Sequence, residues 1–432
     1  MRILVSRPAL PALGMALLLM ACGGSSTASV PTQSGDISYG VIAPFTGPAA
    51  QFGKLLSAPC YAATDLINAA GGPLGHKINC VPVDDTGDSA DAVPNVTKAV
   101  ATVSNFDLAI GLESNTAATT VPIVNSAKIP LVTTNGLTQF SKNNKLSYYW
   151  RLTPSDDANG AAFAKWAVQK GFKNAVVVFQ SDIGSEGNLP GLQSALPKLG
   201  AKLALDPLTI PADAASYSSV VARVIAANPD VLIWSADPQT TATFLSEYSQ
   251  LNNGKIPPMV TATDSLTPDF FGPVSKVVGT DYVTKDIYLV GSSFDQTTPA
   301  FDTYKNALLA DSKTHDIAGP LSAVGPPASA YDGMNIAALA MIEAGSTVGS
   351  VYNSYFEKVV APSSGAVVVS NYADGKKALA QGKKIQYVGV IGAVVFDSNH
   401  NSAGEFAANM FTADGSATRV GSMDGATILG LL

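Results

Sequence analysis

Histidine and cysteine are scarce, with three of each in 432 residues. His76, His315 and His400 lie far apart and no Cys/His spacing fits a metal site, which excludes a zinc centre of the usual pattern. There is no Gly-x-Ser-x-Gly elbow, and no histidine sits in a catalytic motif, so an enzyme is not expected and no cofactor is implied. Gly47-Pro-Ala-Ala-Gln-Phe-Gly53-Lys54 imitates a phosphate loop, but it has five residues between its glycines. It also carries Leu55 where Ser or Thr would have to reach magnesium. Charge is sparse as well: 14% of residues are charged and the formal net charge is −7. Without a basic patch, nucleic acid is not a partner. Past the N-terminal segment no apolar run approaches the length of a membrane helix.

What the chain does have begins at its start. MRILVSRPALPALGMALLLMAC carries Arg2 and Arg7, an apolar core through Leu17-Leu18-Leu19, and Leu19-Met20-Ala21-Cys22, which resembles the bacterial lipobox. Residues 1–21 are expected to be a lipoprotein signal peptide, with Cys22 carrying lipid and residues 22–35 forming a flexible tether. The apolar core is too short to span a membrane and is interrupted by Pro8 and Pro11. Cleavage would remove two arginines and no acid, taking the formal charge to −9. The expected location is the cell envelope, outside the cytoplasm. Cys60 and Cys80 are then an even pair in an oxidising compartment, one in a helical pattern and one in a strand, which suits either a disulfide or two buried thiols.

The remaining chain is too long for one ordinary domain, and at 47% hydrophobic residues it can bury large cores. Its elements alternate. Ile37–Ala43, His76–Val83, Asp107–Gly111 and Ile129–Val132 read as strands, separated by helical stretches over 52–70, 90–103 and from Thr116. The rhythm restarts after 147–156 with a strand at Asn174–Phe179, another at Asp230–Trp234, and helices at 161–170, 188–199, 220–226 and 239–251. Met259–Ala262 and Tyr282–Leu289 also read as strands, followed by helices at 300–309 and 330–344 and a strand-like tail from Ile385 to Asp397. The pattern predicts two α/β units with parallel sheets, whose ligand-binding edge is the row of loops after the strand C-termini.

Two such loops stand out. Glu113-Ser114-Asn115-Thr116 opens a helix, and Thr133-Thr134-Asn135-Gly136 follows the next strand. Free amides and the positive end of a helix dipole suit a small carboxylate there, though Ser114 or Asn115 equally reads as a helix N-cap.

A resemblance runs through the chain in order. Gly40-Val-Ile-Ala-Pro-Phe-Thr-Gly-Pro48 with Phe52-Gly53, Ile67-Asn-Ala-Ala-Gly-Gly72, Asp84-Asp85-Thr-Gly-Asp88, Arg151-Leu-Thr-Pro-Ser-Asp156, Ala227-Asn-Pro-Asp230, Ala330-Tyr-Asp-Gly333 and Gly392-Ala-Val-Val-Phe-Asp397 together resemble the periplasmic leucine/isoleucine/valine-binding protein family. The resemblance implies a type I periplasmic binding fold: two Rossmann-like lobes with parallel sheets joined by a three-strand hinge. Lobe one would be 36–153 plus 285–386, and lobe two 154–284 plus 387–432. It implies the solute-binding component of an ABC importer, with a membrane permease as partner and an amino acid or related solute in a cleft that closes by hinge bending. The alternative is a receptor that senses an amide, urea or carboxylate without transporting it.

By the same resemblance, Ser114 with the amides of Asn115 and Thr116 would hold the ligand's carboxylate. Asn135, Gly136 and a displaced Thr138 would form the second loop, and Asp264 would meet an ammonium. Phe52 and Tyr331 are candidate apolar walls that read equally as core. Asp182 and Asp237 stand in loops where relatives often carry aromatics, which suggests a solute more polar than leucine.

Overall fold

In this computed structural model the described residues are 31, 33–47, 50–142, 145–317, 325–402 and 404–432. The expected leader and the lipidation of Cys22 lie outside them, as does most of the expected tether.

The first half builds β1 (Ile37–Ala43), α1 (Gln51–Ala69), β2 (Ile78–Asp84), α2 (Ser89–Thr102), β3 (Phe106–Gly111), α3 (Ser114–Ser126), β4 (Leu131–Thr133) and β5 (Tyr149–Arg151). The strands pair in parallel in the order β2-β1-β3-β4-β5. Such a sheet needs strands that are apolar on both faces, and all six residues of β3 are buried. Gly111 closes β3 at φ +100°, and a Cβ there would come within 2.3 Å of the Ile42 carbonyl oxygen. Cys60 of α1 and Cys80 of β2 are joined by a disulfide, their Cα atoms 6.1 Å apart.

The second half runs α4 (Asp156–Gln169), β6 (Asn174–Gln180), α5 (Ile183–Gly187), α6 (Leu189–Lys198), β7 (Lys202–Leu203), β8 (Leu208–Ile210), α7 (Ser218–Ala227), β9 (Val231–Ser235), α8 (Pro238–Leu251), β10 (Met259–Ala262), α9 (Pro268–Val278), α10 (Thr280–Asp286) and β11 (Ile287–Ser293). The strand expected over Tyr282–Leu289 therefore begins only at Ile287. Gly279, at φ +87°, ends α9, and the next seven residues start a new helix in which Lys285 reaches back 2.8 Å to Asp281. Its Val and Thr residues imitate a strand, yet they fit a helix with Val283 turned into the core.

The chain then adds α11 (Pro299–Asp311), α12 (Pro326–Ala344), α13 (Gly349–Tyr352), α14 (Phe356–Val360), β12 (Val367–Val369), α15 (Tyr372–Ala380), β13 (Ile385–Gly389), β14 (Gly392–Ala393), β15 (Glu405–Phe411), β16 (Ala417–Met423) and α16 (Gly425–Leu429). The second sheet has the order β16-β15-β11-β10-β9-β6-β7, with β8 also on β6. It is mixed where an all-parallel sheet was expected, because β15 and β16 return antiparallel along its edge. Their short connection is a tight turn, in which Asp414 accepts from Thr412 Oγ1 at 2.5 Å and from the Ser416 amide at 3.1 Å.

Helices α2 and α3 cover one face of the first sheet. The other face packs on α1, α11, α12, α14 and the small β12-β13-β14 sheet. Helix α12 is buried almost along its whole length, so its side chains are mostly apolar on every side instead of striped, with Ser329, Asp332 and Asn335 the buried polar ones. The second sheet has its own core on each face.

Where the chain first crosses between the sheets, Trp150 is stacked between Phe356 and His400, with ring centroids at 4.7 and 4.0 Å. Its indole N–H donates to Asn353 at 2.8 Å. The last crossing is bonded to the first: the Arg151 amide donates to the His400 carbonyl at 3.0 Å, and the Ser402 amide donates to the Arg151 carbonyl at 2.8 Å.

Candidate functional site

The C-terminal ends of β3 and β4 carry the two loops singled out in the sequence. Helix α3 starts at Ser114 with Glu113 in the N-cap position, and the Glu113 side chain makes no capping bond. Ser114 is thus the first helical residue and not the cap. Its hydroxyl is half-buried and has no hydrogen-bond partner among the described residues. Asn115 is exposed, and its carbonyl accepts from Ser89 Oγ at 2.8 Å. Thr116 is fully buried, and its hydroxyl donates to the Asp85 carboxylate at 2.8 Å. The side chains of Ser114 and Asn115 are thus both accessible and unused among the described residues, and that of Thr116 is neither.

The second loop is built by its own side chains. Asn135 is buried: its amide group donates to the Leu112 carbonyl at 2.9 Å and to the Thr133 hydroxyl, and its oxygen accepts from the Leu137 amide at 3.2 Å. Asn135 therefore shapes the loop. The Gly136 carbonyl accepts from the Asp156 amide at 2.7 Å, and a Cβ on Gly136 would lie 1.9 Å from the Asp156 carboxylate. Thr138 donates to the Gly187 carbonyl of α5 at 3.2 Å. Gly136 and Thr138 are thus the points at which the first-sheet loop meets the second-sheet unit, and α3 approaches α5 beside them.

On the facing edge, Asp182 and Asp237 are helix caps. Asp182 accepts from the Ser185 amide and hydroxyl, both at 2.8 Å, and Asp237 accepts from the Thr240 amide at 2.9 Å and its hydroxyl at 2.7 Å. With both carboxylates engaged, they no longer argue for a more polar solute. The Ser185 and Ser235 hydroxyls are 2.9 Å apart and tie these two loops together. Asp264 falls in a 3-10 turn, Thr263–Ser265, directly after β10. Tyr331 is core: it is 2% exposed and its ring lies 4.5 Å from that of Tyr304. Phe52 lies in the first turn of α1.

Three features were not legible as functional in the sequence. Burial, with the Asp85 carboxylate adding to it, pushes the Glu113 carboxyl up to about 7. Buried Arg151 supports the second loop from behind, donating to the Leu137 carbonyl and to Ser141 Oγ, both at 2.9 Å. Asp332, buried in α12, accepts from Tyr387 Oη at 2.7 Å and from the amides of Val390 and Ile391 at 3.0 and 2.7 Å. It clamps the turn that leads into the last crossing. Arg151 and Asp332 stood inside motifs read in the sequence, Arg151-Leu-Thr-Pro-Ser-Asp156 and Ala330-Tyr-Asp-Gly333, and Glu113 opened the first of the two loops, each without a duty of its own.

Burial also raises Asp107 and Asp311 to about 7 and Asp332 to about 6. Between pH 4 and 7 the folded chain then binds more protons than the unfolded chain, so its stability falls as pH rises through that window. The ligand-free protein should melt several degrees higher at pH 5 than at pH 8 by calorimetry; an equal or higher melting temperature at pH 8 would contradict these buried carboxyls.

A cavity of about 610 Å³ lies beside the crossings, lined by residues including Phe294, Ile391, Phe396, Asp397, Glu405 and Leu429. Among the described residues no cluster of three or more His, Cys, Asp or Glu could hold a metal ion.

The family described as periplasmic binding protein matches residues 36–418. A Leu/Ile/Val-binding protein, BraC3, from Rhizobium johnstonii is 30% identical over 164 residues, which is 38% of this chain and 44% of that protein. An amino acid binding protein from Pseudomonas aeruginosa is 28% identical over 195 residues, covering 43% and 50% of the two chains. The chain thus spans about half the length of the curated relatives it matches. Among solved structures, the leucine binding protein LivK of Thermotoga maritima superposes with a TM-score of 0.68 at 15% identity, covering 90% of this chain and 99% of that one. A solute binding protein of an ABC transporter from R. palustris, in complex with benzoate, gives 0.65 at 16% identity, covering 90% and 97%.

Proposed function

The chain belongs to the periplasmic binding protein family, and from that premise we propose that it is the extracytoplasmic solute-binding component of an ABC importer. Its ligand is a small polar solute, an amino acid by preference, taken into the gap between the two sheet edges and enclosed by bending at the crossings. Lipid on Cys22 holds it to the membrane, and the closed form is what the permease reads.

One observation carries this reading. Ser114 presents an unused, accessible hydroxyl at the first turn of a helix that starts from a parallel strand's C-terminal end. A carboxylate placed there gains the hydroxyl, the free amides of the first turn and the helix dipole. Gly136 lets the second loop approach the other unit.

Thermal melting of the purified chain against a library of amino acids, amides, urea and carboxylates tests it, since a ligand raises stability by mass action. An amino acid should raise the melting temperature in a concentration-dependent way. Shifts with amides or carboxylates alone would move the reading to the sensing alternative, and no shift with any solute would refute it.

A further inference from the structure

The parallel strands β1, β2 and β3 begin at one end of the first-sheet unit, and the loops of the candidate site lie at the other. The strand-start end departs from the charge of the chain. From Gly375 to Phe396 there are four lysines and no acid, in a protein of formal net charge −7. Lys376 is engaged within the unit: its ammonium donates to the Ala70 and Gly72 carbonyls at 2.9 and 2.8 Å, which sets α15 beside the end of α1. Lys377, Lys383 and Lys384 are exposed, as is Lys77 just past that end of α1, and none of the four is in an ion pair among the described residues. Of the acids flanking this end, Asp36 accepts from Asn79 at 3.4 Å, Asp374 accepts from Asn371 at 2.8 Å, and Glu343 is exposed. Apolar side chains stand out among the lysines. Leu74 is 42% exposed and Val368, on the edge strand β12, is 63% exposed. Its neighbour Val367 donates its amide to the Lys384 carbonyl at 2.9 Å. The N-terminal segment enters the unit here too: Ser346 Oγ donates to the Pro31 carbonyl, Asn105 to the Ser34 carbonyl at 2.9 Å, and the Ile37 amide to the Lys77 carbonyl at 2.8 Å.

We propose that this end is a docking face for an anionic lipid surface: Lys77, Lys377, Lys383 and Lys384 meet phospholipid headgroups, Leu74 and Val368 enter the headgroup layer, and the cleft is held turned away from the bilayer. This rests on the lipid-anchored reading above and extends it. An acidic chain is repelled by an anionic surface unless a cationic face turns toward it, so the four lysines select the orientation. The exposed apolar side chains among them favour a lipid surface over a soluble anion, which would gain nothing from Leu74 or Val368. Chain length supports the same occupant. The nine residues from Cys22 to Val30 reach at most about 30 Å, so lipid on Cys22 keeps this end near the headgroups and raises its effective concentration there.

The test measures cosedimentation of the mature chain, made with Cys22→Ser so that no acyl group contributes, with vesicles of phosphatidylcholine alone or mixed equally with phosphatidylglycerol. The chain should bind the mixed vesicles in about 20 mM salt, bind phosphatidylcholine far more weakly, and come off by about 300 mM salt. Adding Lys377→Gln, Lys383→Gln and Lys384→Gln together should weaken binding to the mixed vesicles about thirtyfold or more. Lys173→Gln, Lys202→Gln and Lys276→Gln, the same charge change on exposed lysines of the second-sheet unit, should leave it near the starting value. Both triple variants should keep the melting temperature and its shift with solute, which reads the fold and the cleft apart from the lipid face. No binding to the mixed vesicles at low salt, or equal losses in the two variants, overturns the assignment. A dimer seen by sedimentation velocity without vesicles, and lost in the first triple variant, would give the face to a second copy and overturn it as well. The mass of the native protein reads the anchor on its own: a Cys22 without acyl groups refutes that reading, while vesicle binding by the Cys22→Ser chain sustains the docking face.

Discussion

Asp332→Ala is expected to lower the free energy of unfolding by about 3–5 kcal/mol. The carboxylate is fully buried in α12 and accepts from Tyr387 Oη and from the Val390 and Ile391 amides. Alanine leaves three donors without an acceptor, at about 1–3 kcal/mol for each buried group that water cannot reach. Relief of the buried charge offsets part of this, since burial already holds the carboxyl at about 6. Asparagine should recover little: its NH₂ would face an amide that also donates. Because the clamped turn enters the last crossing, the loss should be cooperative with unfolding of the first-sheet unit. Urea denaturation measures it, and a loss under about 1 kcal/mol would show that the turn holds without the clamp.

Arg151→Met is expected to weaken ligand binding as well as stability, by about 2–4 kcal/mol in stability. The main chain of Arg151 bonds to His400 and Ser402 in the last crossing, while its guanidinium bonds to Leu137 and Ser141 in the second loop. One residue thus ties the loop to the hinge. The substitution keeps the crossing bonds but frees the loop, so the loop must be ordered anew when ligand arrives. Lysine should not rescue either property, because an ammonium cannot reproduce the planar fork that spans two acceptors. Denaturant titration and ligand titration of both variants check this. Full rescue by lysine, or an unchanged Kd in Arg151→Met, would remove Arg151 from the coupling.

The fold was readable because burial on both faces leaves an unambiguous trace: apolar runs such as Asp107–Gly111 and Asn174–Phe179 alternate with capped helices. It failed where local preference and tertiary context diverge. Tyr282–Asp286 has strand-like residues but is helical, and β15 and β16, whose burial does not alternate, gave no strong signal. Within the site, chain position located the loops and left the duties of their residues open. Asp182 and Asp237 read as cleft acids and are caps, because a cap and a ligand acid have the same sequence signature. Asn135 and Tyr331 were ligand candidates and are held in loop and core. Glu113 was given no duty because its missing cap bond exists only in three dimensions.

The most direct test of cleft binding is the Kd of Ser114→Ala for the solute that most stabilises the wild-type chain. The Ser114 hydroxyl has no structural partner among the described residues, so the variant should fold with an unchanged melting temperature. Its affinity should fall about tenfold or more, the cost of removing one hydrogen bond to a charged ligand. An affinity equal to wild type would contradict the placement of the ligand at the start of α3.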